Sequence, residues 1–226
     1  MHPITSAYHT INIEGDPGSG KTTLGKLLAG MLGFFFISTG RYFRALALYA
    51  ESRGIRIDDA AGLVQVIQKS PDTLEEQLDN PALDGEDMST SAFRIAANGD
   101  PRVRNALIEL VKGVVAQKNA AGVGVVVEGQ GAAKVFPGNP SFFLTADLES
   151  RVKWRHAQMG CCPDTDLTRS LSAIRRKLVE RADADRKRPV APLSKDPSST
   201  EFKTDDYHSI EDAANALYEL YKKKYT

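Results

Sequence analysis

The feature that most constrains this chain is an eight-residue run near its start, Gly15-Asp16-Pro17-Gly18-Ser19-Gly20-Lys21-Thr22, followed by Thr23. It fits G-x-x-x-x-G-K-[S/T] in full. Its glycines let the backbone curl so that successive N–H groups converge on one concave spot. Thr10–Glu14 ahead of the run reads as a strand. Lys21–Leu32 behind it carries Leu24, Leu27, Leu28 and Met31 at helical spacing and stops at Gly33. A strand, a glycine turn and a helix N-terminus in that order make a phosphate cradle. Gly15 to Thr23 are therefore the expected nucleotide-binding residues, the ATP site if the chain is a kinase. Lys21 is expected to reach the β- and γ-phosphates, and the Thr22 hydroxyl to bind Mg2+. The competing reading is a chance glycine turn before a helix, and the strand–turn–helix context weighs against it. The motif alone does not separate a kinase from a GTPase or an ATPase.

Downstream, strand-like and helix-like runs alternate. Phe34–Ser38, Val123–Glu128, Ser141–Thr145 and Thr200–Thr204 read as further strands. Helices are expected at about 41–53, 102–118, 147–158, 166–182 and from Ile210, the last capped by Ser209 with Asp212 three residues on. Between Ile55 and Gly99 the pattern is short helix, punctuated by Pro71, Pro81 and Gly85. Alternation of this kind predicts an α/β fold of three layers, a parallel central sheet with helices on both faces. The expected organisation is one domain spanning residues 1–226, with an acceptor-binding insertion at about 55–100 and a small helical lid at about 158–188.

Charge limits the partners. Lys+Arg and Asp+Glu are both 29, so no global basic field is available to hold nucleic acid. The balance hides a local excess: from Arg151 to Lys195 there are twelve Lys/Arg against five Asp/Glu. An anionic small molecule is expected to be met there. The two cysteines, Cys161 and Cys162, are adjacent, which suits neither a disulfide framework nor a four-ligand zinc site. With no apolar run of membrane-spanning length and no basic–apolar leader, the expectation is a cytoplasmic protein without membrane partner, and a monomer.

Signals of switch GTPases, D-x-x-G and N-K-x-D, are missing from any fitting position. Instead the chain carries Arg181-Ala-Asp-Ala-Asp185-Arg-Lys-Arg188. Such a run is by itself more often a solvated face than a site. Beneath a phosphate cradle, however, arginines on an insertion can close over transferring phosphates and exclude water. Trp154 and His156, just before it, read as surface packing, although Trp154 could stack on a base.

Four blocks in order make the resemblance specific: Ile13-Glu14-Gly15 to Thr23; Ser38-Thr39-Gly40-Arg41-Tyr42-Phe43-Arg44-Ala45-Leu46-Ala47-Leu48; Pro101-Arg102-Val103-Arg104; and Asp185-Arg186-Lys187-Arg188-Pro189-Val190-Ala191-Pro192-Leu193. Over nearly its whole length the chain resembles the bacterial-type cytidylate kinases, of the nucleoside monophosphate kinase fold. The resemblance implies ATP-dependent phosphorylation of a nucleoside monophosphate, CMP or dCMP first. Two alternatives stay open: a specialised kinase acting on a modified nucleotide or another small hydroxyl acceptor, and a nucleotide-binding module without catalysis.

The resemblance also implies roles. Thr39 and Arg44 match the hydroxyl and arginine that hold the acceptor's sugar and phosphate. Arg104 and Arg188 match arginines at the pyrimidine, Arg181 and Asp185 residues near the acceptor ribose and phosphate, and Arg155 an arginine of the ATP side. Lys21, Arg155, Arg181 and Arg188 are the expected catalytic residues. The departures lie on the acceptor side. Where the family reads Gly-Arg-Asp, this chain reads Gly129-Gln130-Gly131, losing the arginine expected on the acceptor phosphate and the aspartate expected on the cytosine amino group. Gln130 and Gly131 are then expected to line the acceptor pocket, with Gly131 making room. Arg41, three residues before Arg44 and so on the same helix face, is the candidate to compensate.

Overall fold

In the computed structural model of the chain, residues 9–84, 86–97, 100–159, 170–188 and 190–225 are described. Five parallel strands form the centre: β1 (Thr10–Gly15), β2 (Phe35–Ser38), β3 (Val125–Glu128), β4 (Ser141–Thr145) and β5 (Thr200–Lys203), in the order β2-β3-β1-β4-β5. β1 and β3 are buried at every position, as expected of strands covered on both faces.

The two-residue period of a strand decides which layer each side chain joins. Val125 and Val127 of β3 pack with Ile37 against α2 (Thr39–Ser52), α3 (Ala60–Lys69) and α6 (Pro101–Ala120). Val126 points the other way and packs with Ile11, Ile13, Phe142 and Leu144 against α1 (Lys21–Leu32) and α10 (Ile210–Tyr225). The outcome is the expected three-layer α/β architecture. The described residues from 60 to 97 form short helices: α3, α4 (Pro71–Glu76), two 3-10 turns, then α5 (Glu86–Ala97).

Where the boundaries differ from the sequence reading, the causes are local. α2 starts at Thr39, two residues early, because Ser38 is extended and already serves as its N-cap. A short helix that the sequence pattern did not predict, α7 (Ala132–Val135), follows Gly131, whose left-handed φ of 82° turns the chain after β3. α8 (Leu148–Gln158) and α9 (Leu171–Lys187) pack through Val152, Ile174 and Leu178. The Gly160-Cys161-Cys162-Pro163 turn expected between them lies outside the described residues. α9 runs on to Lys187, so Arg181 to Lys187 form its last turns rather than a separate basic segment; Ala182 is buried there. Ser170 caps its start, accepting from Ala173 N at 3.2 Å.

The sheet order places the site. β1 is flanked by β3 on one side and β4 on the other, and the chain passes to opposite sides of β1 before and after α6–β3. A crevice therefore opens at the carboxyl ends of the strands, where open α/β sheets hold ligands.

Candidate active site

The glycine-rich loop closes β1 and starts α1, and its glycines are required by geometry. Gly15 has φ +139°, and a Cβ there would lie 2.0 Å from the Leu144 carbonyl oxygen. Gly18 and Gly20 have φ +80° and +85°, a region that other residues avoid. Neighbours turn the loop's carbonyls outward. Lys21 Nζ donates to Asp16 O at 2.6 Å, Arg151 Nη1 to Pro17 O at 3.1 Å and Thr204 Oγ1 to Ser19 O at 3.0 Å. The first N–H groups of α1 have no intrahelical partner, and the buried Ser19 hydroxyl has no partner among the described residues. This donor set fits an anion such as a nucleotide phosphate.

A cation fits beside it. Glu128, at the carboxyl end of β3 and 7% exposed, accepts from Ser38 Oγ at 2.5 Å and stands 3.5 Å from Thr22 Oγ1. A carboxylate and a hydroxyl at that spacing are the hard oxygen ligands that Mg2+ takes, with waters and phosphate completing its shell. Glu128 was not among the expected site residues. Its one signal in sequence is an acid ending the most apolar strand, and only pairing beside β1 makes that signal specific.

The crevice is a cavity of about 930 Å³, large enough for a nucleotide and a small acceptor together. Pro17, Gly18, Gly20, Lys21, Thr22 and Thr23 line one part, while Gly15, Asp16 and Ser19 form the loop behind them. Thr39, Arg44, Arg104 and Gln130, the residues expected on the acceptor side, line another part, and Arg155, Arg181, Asp185 and Arg188 reach the same space from α8 and the end of α9. Gly129 lets these parts meet, because a Cβ there would lie 2.0 Å from Thr39 Oγ1.

Burial depresses the basic groups. Lys21 is held below its usual range by desolvation, partly offset by Glu128 and reinforced by Arg181. Arg44 is lowered by burial and then by Arg181. Arg104 is brought down to about 10 by burial, with the Arg188 charge adding to it. Clustered cations that repel one another and lack solvent are poised for a polyanion. Arg188, whose side chain is 9% exposed, pairs with Asp185 at 2.7 Å and donates from Nε to Ala191 O at 2.6 Å, while its buried Nη2 has no hydrogen-bond partner among the described residues.

Two expected residues are not where the sequence reading put them. Arg41 does share a helix face with Arg44, and both reach Asp84, at 2.7 and 3.9 Å. But Arg41 donates to Leu78 O at 2.8 Å and Asn80 O at 3.4 Å, fastening the insertion instead of lining the cavity. Gly131 does not open space for a ligand either. Its φ is +82°, and a Cβ would lie 2.6 Å from that of Ala191, so it seats the segment after α9. Gln130 lines the cavity and donates from Nε2 to Gly15 O at 2.7 Å, tying the end of β3 to the start of the loop.

The stretch from Thr204 to Ile210 was not among the expected site residues and also reaches the cavity. Thr204, Tyr207, His208, Ser209 and Ile210 line the cavity beside the glycine-rich loop, with Trp154 also on the wall. Asp205 secures this loop to α8, accepting from Asp147 N at 2.9 Å. The one local pattern here, the Ser209 cap with Asp212, marks a helix start and not a site.

Comparison with known proteins agrees with the geometry. A family model described as cytidylate kinase matches residues 11–223. The cytidylate kinase of Neisseria gonorrhoeae is 31% identical over 223 residues, covering 94% of this chain and 97% of that protein. That of Geobacter sp. (strain M21) is 33% identical over 206 residues, covering 81% and 80%. The glycine-rich loop, the arginine-lined crevice and these matches over almost the whole length lead to one assignment: the chain belongs to the cytidylate kinase family.

Proposed function

We propose that the protein transfers the γ-phosphoryl group of ATP to the phosphate of a nucleoside monophosphate, with CMP the main acceptor and dCMP a second. The observation that carries this reading is that the phosphate cradle and the acceptor-side arginines open into one cavity, in a chain of the cytidylate kinase family.

The chain's own groups divide the work. The glycine-rich loop and the N-terminus of α1 bind the donor's phosphates, and Lys21 neutralises charge where the phosphoryl group leaves. Thr22 and Glu128 would hold Mg2+, which would supply charge neutralisation on the donor's phosphates. Arg44 meets the acceptor phosphate, with Thr39 beside it. Arg181 and Arg155 approach from α9 and α8 and stabilise charge during transfer, as positioning and electrostatics do in phosphoryl transfer generally. Arg104 and Arg188 take the base end. Asp185 holds Arg188 in orientation through its 2.7 Å ion pair. The missing arginine at Gln130 leaves the acceptor phosphate to Arg44 and Arg181.

The test is ADP release with ATP and Mg2+ against a panel of nucleoside monophosphates. CMP should give the highest kcat/KM. ADP release that is the same with and without acceptor would overturn the reading.

A further inference from the structure

Arg44 shares its helix face with a second guanidinium. Arg41 lies three residues earlier on α2, and both reach one carboxylate, Asp84, at the end of the 3-10 turn Pro81–Asp84. The sharing is unequal. Arg41 Nη1 donates to Asp84 Oδ1 at 2.7 Å, while Arg44 Nη1 stands 3.9 Å from the same oxygen, too far for a hydrogen bond. Arg41 is held in place from two more sides, by Leu78 O at 2.8 Å and Asn80 O at 3.4 Å, and its side chain is 14% exposed. Arg44 lines the cavity and makes no hydrogen bond among the described residues.

Asp84 is 65% exposed and stands off the cavity wall. A shift of about 1 Å would bring its carboxylate within hydrogen-bonding range of Arg44. That bond would engage donors that an acceptor phosphate needs and turn the guanidinium toward the insertion. Arg41, bonded at three points, prevents it by holding the carboxylate where it is. Burial and the Arg181 charge work against the Arg44 cation, and Asp84 at 3.9 Å favours it without occupying its donors.

We propose that Arg41 is a positioning residue for phosphoryl transfer: it sequesters the Asp84 carboxylate and so keeps the Arg44 guanidinium open to the acceptor's phosphate. The proposal rests on the phosphotransfer reading above, through the role given there to Arg44, and adds to it a residue that touches no substrate. Competition from a partly exposed carboxylate predicts a rise of about three- to tenfold in KM for CMP when Arg41 is lost. The turnover number changes little, because the same contact is weakened before and during transfer.

The experiment measures kcat, KM for CMP and KM for ATP in the wild type, Arg41→Gln, Asp84→Asn and the double variant, with Kd for CMP by calorimetry in the absence of ATP. Arg41→Gln should raise KM and Kd for CMP about three- to tenfold, with kcat and KM for ATP within about twofold of wild type. Adding Asp84→Asn should bring both CMP constants back to within about twofold of wild type, because no carboxylate is left to take Arg44. Asp84→Asn alone keeps an acceptor for Arg41 and should leave KM for CMP at or below the wild-type value. If Arg41 merely fastened the insertion, the double variant would be at least as impaired as Arg41→Gln. An unchanged KM for CMP in Arg41→Gln overturns the proposal, as does a double variant no better than that single one. A clear rise in KM for CMP in Asp84→Asn alone also overturns it, and this arm decides even where Arg41→Gln does not fold. If CMP binds in the expected order but no nucleoside monophosphate releases ADP, the phosphotransfer reading falls instead.

Discussion

Replacing Glu128 by glutamine removes a charge and almost no volume, which makes it a sharp test of the cation side of the site. The carboxylate accepts from Ser38 at 2.5 Å and faces Thr22 Oγ1 at 3.5 Å. A hydrogen bond to a charged group is worth about 1.5–3 kcal/mol against about 1 for a neutral pair. If Glu128 ligates Mg2+ as proposed, the lost ligand adds a comparable amount, and Lys21 loses the anion that opposes its desolvation. Together these suggest roughly 2–4 kcal/mol of lost transition-state stabilisation, about thirty- to nearly a thousandfold in kcat/KM. The assay is steady-state ADP release at CMP concentrations spanning KM, repeated over a range of free Mg2+. Glu128→Gln should lower kcat and require more Mg2+ for half-maximal rate, while a thermal melt shows the fold intact. If a folded variant keeps kcat/KM within threefold of wild type and the same Mg2+ dependence, Glu128 has no role in holding the cation.

Lys21→Met should reduce kcat/KM by more than tenfold, a loss above about 1.4 kcal/mol, with the circular dichroism spectrum unchanged; a smaller loss would contradict its place at the transferring phosphoryl group. Glu14, 1% exposed, accepts from Ala133 N at 2.6 Å, and burial raises its carboxyl above 4.5. The native state thus binds its proton more tightly than the unfolded chain, and the stability it contributes is full below about pH 4.5 and lost as pH rises through the native value. Glu14→Gln keeps an acceptor for Ala133 and should flatten that part of the stability–pH curve in urea melts; an unchanged slope would refute the assignment. Gly131→Ala combines a left-handed backbone with a clash against Ala191, and should lower stability by about 1–2 kcal/mol, read as a reduced midpoint in urea. A neutral result would mean that Ala191 can move aside freely.

Much of this protein was legible in its residues because the relevant physics is local. Only glycine tolerates the backbone of Gly15, Gly18 and Gly20, so the phosphate cradle could be read directly. The apolar runs of β1, β3 and β4 and the 3.6-residue periodicity of α1 place the layers for the same reason. The arginines were recognisable as residue types in an order that resembles a family, and Arg44, Arg104, Arg155, Arg181 and Arg188 do face one cavity. What only the tertiary structure decided is which partner each charged or special residue meets. Glu128 and Thr22 are 106 positions apart, and become neighbours only because β3 pairs with β1. Arg41 and Arg44 are equivalent by helical spacing, yet Leu78, Asn80 and Asp84 draw Arg41 into the insertion. Gly131 reads as open space in a sequence and is in fact a seat for Ala191. The stretch from Thr204 to Ile210 carries only a helix cap, Ser209, which says nothing of a site, and it joins the cavity because β5 lies beside β4. A residue's conformational freedom is a property of the residue itself, whereas its charge acts through space, over distances that only the packed chain sets.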